Sequence, residues 1–199
     1  MGLRAIRKVL VRLARHRRGA ALVEFAIAAP VMLSLYLMAY TLSDAISANR
    51  KVTVATRALT DVTSRFNTAS GSDVTNVLGA ADKVLAPYSS GSNRATLRIS
   101  EVQVTSATQA KVIWSCETGP GSALAANAVV TLPSGMVTTS MIPNASAAPP
   151  ITGAFIVMGE VTYNYTPTFS YNGMGSMTFA DRIFLVPRVS TNIPLTGSC

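Results

Sequence analysis

Histidine is nearly absent from this 199-residue chain, and the one present, His16, lies in a strongly basic N-terminal stretch. Everything after it lacks the imidazole on which Ser/His/Asp and Cys/His nucleophiles and His-bearing metal sites depend. The sequence also has no G-x-S-x-G, no S-x-x-K, no P-loop and no Cys-x-x-Cys. The glycines of Gly119-Pro120-Gly121 and of Asn172 to Gly175 lack the strand-to-helix setting of a phosphate loop and read as turns. Acidic residues are scarce, and the pair Glu160 and Asp181, on neighbouring strand candidates, reads as solvated sheet carboxylates rather than a glycosidase pair. The inventory predicts a protein that is not an enzyme, with no cofactor and no metal.

Positive charge is plentiful but confined. Arg4, Arg7, Lys8, Arg12, Arg15, Arg17 and Arg18 all precede residue 20, and the other 180 residues carry 10 basic and 9 acidic groups. A nucleic-acid binder keeps its cations on the folded domain, so this distribution argues against nucleic acid as a partner. Leu3, Ile6, Leu10 and Leu13 are interleaved with the cations as in a basic amphipathic helix, and the segment reads as a leader and topology signal over 1–19.

From Ala20 to Ser43 the chain carries a single charge, Glu24. As a helix, 24 residues span about 36 Å, enough for a hydrocarbon core of ~30 Å. Cations before the run and their scarcity just after it place the N-terminus in the cytoplasm and the rest outside, as in a single-pass inner-membrane protein with a periplasmic domain. An ordinary secretory signal would have an apolar core of ~7–15 residues and a small-x-small cleavage site. This run is longer, and apolar spacing continues beyond it at Ile46, Val52, Ala55, Leu59, Val62 and Phe66. The periodicity predicts one rod reaching about Phe66, modestly kinked at Pro30, with 44–66 as its extramembrane continuation.

The remaining residues, 67–199, read as one α+β domain. Ser72 is the expected N-cap of a short helix from Asp73 to about Leu85, closed by Pro87. Strand signals occupy 95–106, 110–118, 154–169 and 176–188, with 119–150 as a long small-residue loop carrying minor strand. Leu97 and Ile99 fall on one face and Val102 and Val104 on the other, suggesting a bulge near Glu101, while Val112, Trp114 and Cys116 alternate onto a single face. The predicted architecture is α+β: a long N-terminal transmembrane helix, the spine of the chain, packed on a small antiparallel sheet of about four strands. Cys116 and Cys199 are the only cysteines. In an oxidising compartment two thiols are expected to form one disulfide, the alternative being a free buried Cys116 and a frayed tail. Tyr163, Tyr165, Phe169 and Tyr171 form either a contact surface or sheet core with an aromatic corner.

Glu24 requires a partner or a reason to be tolerated in an apolar helix. Gly19 ends the basic segment and Glu24 is the fifth residue after it. The junction "RRG" then "AALVEF" resembles the processing site of type IV-like prepilins. Cleavage between Gly19 and Ala20 would give Ala20 a free amine with an ordinary pKa of ~8. Ala20 and Glu24 are i and i+4, so amine and carboxylate can pair within one subunit or between stacked neighbours. The wider stretch "RRGAALVEFAIAAPVMLSLYLMAY" resembles the TadE-like segment of tight-adherence (Tad, Flp) pilus proteins, over roughly residues 17–60. Phe25 stands where major Flp pilins tend to have Tyr, and the domain is larger than theirs.

The resemblance implies a non-catalytic minor pilin or pseudopilin whose partners are the prepilin peptidase, other minor and major pilins, inner-membrane platform proteins and membrane lipid. A membrane-anchored surface adhesin outside any pilus, with the 119–150 loop as contact surface, is the alternative.

Overall fold

A computed structural model describes residues 17–90, 94–147, 149–169 and 175–199. Its longest element is a single helix, α1, Arg17–Thr63. The helix passes through Pro30 without interruption, and Ser34 Oγ donates to the Pro30 carbonyl at 2.7 Å. It ends three residues short of Phe66. The Arg65 and Phe66 amides turn back to Val62 and Thr63, and the Ser64 carbonyl accepts from Arg188 N–H at 2.8 Å. The chain thus leaves the helix by pairing with a distant segment.

The rest comprises β1 (Ala69–Ser70), α2 (Gly71–Val84), β2 (Thr96–Val104), β3 (Gln109–Thr118), β4 (Val129–Thr131), β5 (Phe155–Tyr165), β6 (Met177–Leu185) and β7 (Leu195–Thr196). An antiparallel sheet of five strands has the order β4-β3-β2-β5-β6, and β1 pairs with β7 in a separate two-stranded parallel ribbon. The class is α+β with α1 packed on the sheet. The fifth strand, β4, comes from the 119–150 stretch.

The bulge falls at Glu101, where the pairing steps from Glu101↔Trp114 to Val102↔Val112. The extra residue is Ile113, on the partner strand. Sequence alternation had grouped Val112 with Trp114 and Cys116. Instead the bulge sends Val112 to the opposite face, with Val102 and Ile156, whereas Trp114 and Cys116 join Leu97, Ile99 and Val161 on the helix side. Each face has its own core. The second is covered by Leu124, Met136, Val137, Met141 and Ile142, so the 119–150 stretch is a lid over the sheet as well as a connection.

On α1 the buried stripe is Thr41, Ala45, Ala48, Val52, Ala55, Thr56, Leu59, Thr60 and Thr63. Ile46 and Val62, expected on this face, are exposed. Small residues and threonines bring the helix axis close to the sheet, and each buried hydroxyl is satisfied locally. Thr56, Thr60 and Thr63 donate to the carbonyls of Val52, Thr56 and Leu59 at 2.6–2.8 Å. Approach is closest at Gly159 on β5, where an added Cβ would lie 2.0 Å from Thr60 Oγ1. Apolar spacing alone does not register threonine as a core residue, which is why Ile46 and Val62 were favoured.

Ser70, rather than Ser72, caps α2. Ser70 Oγ accepts from Asp73 N–H at 3.1 Å while Asp73 accepts from Ser70 N–H at 3.0 Å, a reciprocal capping box. Ser72 sits one turn position too late to reach a free amide in this way.

Candidate functional site

The feature that the folded body leaves unused is the N-terminal half of α1. Leu22 and Phe25 are 71% and 70% exposed, and Ile27, Met32, Leu33, Leu35 and Tyr36 are likewise uncovered. Among the described residues, Gly19–Thr63 is the one helix long and apolar enough to cross a membrane, with a most apolar window of mean hydropathy 1.9 and none of that window buried. Gly19 and Ala20 lie inside the helix rather than in a loop, and Glu24 is exposed one turn further on. Among the described side chains no hydrogen bond or ion pair reaches Glu24. The structure therefore places Gly19, Ala20, Glu24 and Pro30 on one continuous helix without supplying a partner for the carboxylate. His16 and the leader cations before Arg17 lie outside the described residues.

Where this apolar half meets the folded body, Asp44 organises a tyrosine cluster. Its carboxylate accepts from Tyr88 Oη and from Tyr165 Oη, each at 2.7 Å. Tyr163 Oη donates to the Tyr88 carbonyl at 3.1 Å. Lys51 donates to the Ala86 carbonyl and lies over the Tyr88 ring, 5.7 Å from its centroid. Burial, and then the neighbouring Asp44, push the Tyr88 hydroxyl up to about 12 and raise Tyr165 further. Both phenols therefore stay protonated as donors, and the carboxylate ties α1, the segment after α2 and β5 to one point. Sequence reasoning missed this clamp. Its one available signal was that Asp44 is the first charge after the apolar run.

The other singled-out residues serve the fold. Tyr163 and Tyr165 are core, Phe169 is exposed and stacks edge-on with Tyr40, and Tyr171 lies outside the described residues. Glu160 faces Arg182, and Asp181 is opposite Val161, so the two carboxylates do not face one another. Instead Glu117, Arg98, Glu160 and Arg182 form an ion-pair ladder across β3, β2, β5 and β6, with contacts of 2.7, 3.2 and 2.5 Å.

Cys116 and Cys199 are joined in a disulfide with Cα atoms 5.7 Å apart. Above it, buried Glu101 accepts from Ile193 N–H at 2.6 Å and from Trp114 Nε1–H at 3.0 Å, holding the C-terminal segment to the sheet. Burial raises its pKa, while these two donors act in the opposite sense. Among the described residues no three His, Cys, Asp or Glu side chains group to hold a metal ion.

Residues 19–60 match the family model described as TadE-like protein. That interval begins at the Gly19–Ala20 junction and closes on the buried stripe of α1, so the similarity to TadE-like proteins lies within the long helix and takes in none of the sheet. No curated protein and no solved structure matches the chain.

Proposed function

We propose that this protein is a minor pilin or pseudopilin of a Tad/Flp-type pilus, acting in assembly rather than catalysis. One observation supports this above the others: the TadE-like stretch coincides with a helix whose apolar half stays largely exposed among the described residues, although the other half is closely packed. A helix apolar all round is stable only inside a bilayer or among other helices. In this reading the basic leader stays cytoplasmic, the prepilin peptidase cuts between Gly19 and Ala20, and residues 67–199 stand in the periplasm. The new Ala20 amine compensates Glu24 of a neighbouring pilin as the helices dock, with inner-membrane platform proteins supporting assembly.

Intact-mass analysis of protein isolated from membranes tests the processing step. The expected N-terminus is Ala20, with the leader cations removed; an N-terminus at Met1 or Gly2 overturns cleavage and leaves an uncleaved anchor.

A further inference from the structure

Beyond β5 the chain reaches Phe169, which touches α1 inside its apolar run. Phe169, 48% exposed, stacks on Tyr40 with ring centroids 6.0 Å apart and an interplanar angle of 73°. Tyr40 is itself half exposed and lies three positions before Ser43, where the apolar run ends. At 1.5 Å per residue it sits about 6 Å below Asp44 along the helix. Because the Asp44 carboxylate is bonded to both Tyr88 and Tyr165, the end of β5 cannot swing away from the helix at this level. Between Glu160 and Asp181 the sequence carries no Asp, Glu, Lys or Arg. An exposed aromatic, Phe169, is thus held beside the helix near the point where the apolar run of α1 ends.

We infer that Phe169 and Tyr40 together form an interfacial membrane anchor, seating the membrane-proximal end of the folded body on the lipid bilayer at the headgroup level. Aromatic rings concentrate at that boundary because they offer apolar surface to the acyl chains while tolerating the polar headgroups. The occupant follows from continuity: if α1 spans the bilayer, the same bilayer begins at Tyr40, and Phe169 is already in contact with Tyr40. Lack of charge in this stretch of sequence spares it the larger desolvation cost of an ionised side chain. The consequence is a folded body that rests on the membrane in a fixed attitude rather than swinging on a tether.

This inference rests on the membrane-spanning reading of α1, and the test separates the two. Full-length protein is reconstituted in phosphatidylcholine vesicles brominated either near the headgroup or deep in the acyl chains. Phe169→Trp and Tyr36→Trp are each compared with the wild type, whose buried Trp114 supplies the background. The expected result is a blue-shifted Phe169→Trp emission, quenched more by shallow than by deep bromine, with Tyr36→Trp quenched more by deep bromine. Quenching of Tyr36→Trp without quenching of Phe169→Trp above background overturns the anchor and leaves the span intact. Absence of quenching at both positions overturns the span itself, and the anchor with it. Shielding of Phe169→Trp from aqueous acrylamide only when a pilin partner is co-reconstituted assigns the surface to protein and also overturns the anchor.

Discussion

The two halves of α1 are built from similar hydrophobic residues and end in opposite situations. In the first, large side chains such as Leu22, Phe25, Met32 and Leu35 project in all directions and stay largely exposed among the described residues. In the second, Ala45, Ala48, Val52, Ala55 and Leu59 lie on one face, are almost completely buried, and alternate with exposed Arg50, Val54 and Arg57. The halves differ in side-chain size, in how the apolar positions are distributed around the helix, and in charge, since Ala20 to Ser43 carries Glu24 alone and the second half carries Asp44, Arg50, Lys51, Arg57 and Asp61. A narrow stripe of small residues admits a sheet to within contact of the helix backbone, whereas an encircling coat of long ones suits a solvent of hydrocarbon or a ring of neighbouring helices. One rod is thus packed at one end on its own domain and left largely exposed at the other among the described residues, with Asp44 at the changeover.

The largest effect that sharpens this contrast concerns what keeps the packed half closed. The disulfide joins residues 83 apart in sequence, so Cys199→Ser should cost up to about 4 kcal/mol of unfolding free energy. Chemical denaturation of the extramembrane body in detergent checks it, and a non-reducing peptide map should show the linked pair in the wild type alone. Next comes a matched truncation. Leu59→Ala, in the buried stripe, should lose about 2–5 kcal/mol, whereas Leu33→Ala should leave the same unfolding transition unchanged. Equal losses at the two positions would mean that the halves are not energetically distinct.

A smaller effect comes from Glu101. Burial favours its protonated form, so the folded protein keeps this proton to higher pH than the unfolded chain, whose group titrates near the ordinary value of 4.5. The associated stabilisation is full below that value and is lost as pH rises through the raised folded-state value. Stability should therefore decline over this window in the wild type. Glu101→Gln should flatten the decline while costing about 1–3 kcal/mol at acid pH, because the amide nitrogen, a donor, replaces one of the two oxygens that accept from Ile193 and Trp114. Urea titrations at several pH values measure both outcomes.

Much of this division was legible in the sequence because it rests on contrasts that composition records. The single charge between Ala20 and Ser43, the unbroken text from Val31 to Thr68, and the four principal strands all survive in the structure with boundaries shifted by a few residues. What was not legible depends on partners distant in sequence. Ile113 is an ordinary strand residue until β2 is laid beside it, and only then does it become the bulge that turns Val112 to the other face. Thr56, Thr60 and Thr63 score as polar until their hydroxyls are seen to be spent on the helix's own carbonyls. Ser72 is the cap expected from local pattern, and only the reciprocal bond between Ser70 and Asp73 shows that the helix starts two residues earlier. The tyrosine clamp joins residues 44, 88 and 165, a combination that no local pattern marks.

We propose that the uncovered half of α1 is completed by other pilin helices, with Glu24 meeting the Ala20 amine of a neighbouring subunit rather than its own. The most direct measurement is co-isolation of the Glu24→Gln protein with its pilin partners from membranes, quantified by mass spectrometry against the wild type. Gln retains the size and hydrogen bonding of the side chain but not its charge. The variant should therefore insert, be cut between Gly19 and Ala20, keep the unfolding transition of its folded body, and fail to co-isolate. A cleaved Glu24→Gln protein recovered with its partners at wild-type yield would contradict the account, because the carboxylate would then be answering only to its own helix.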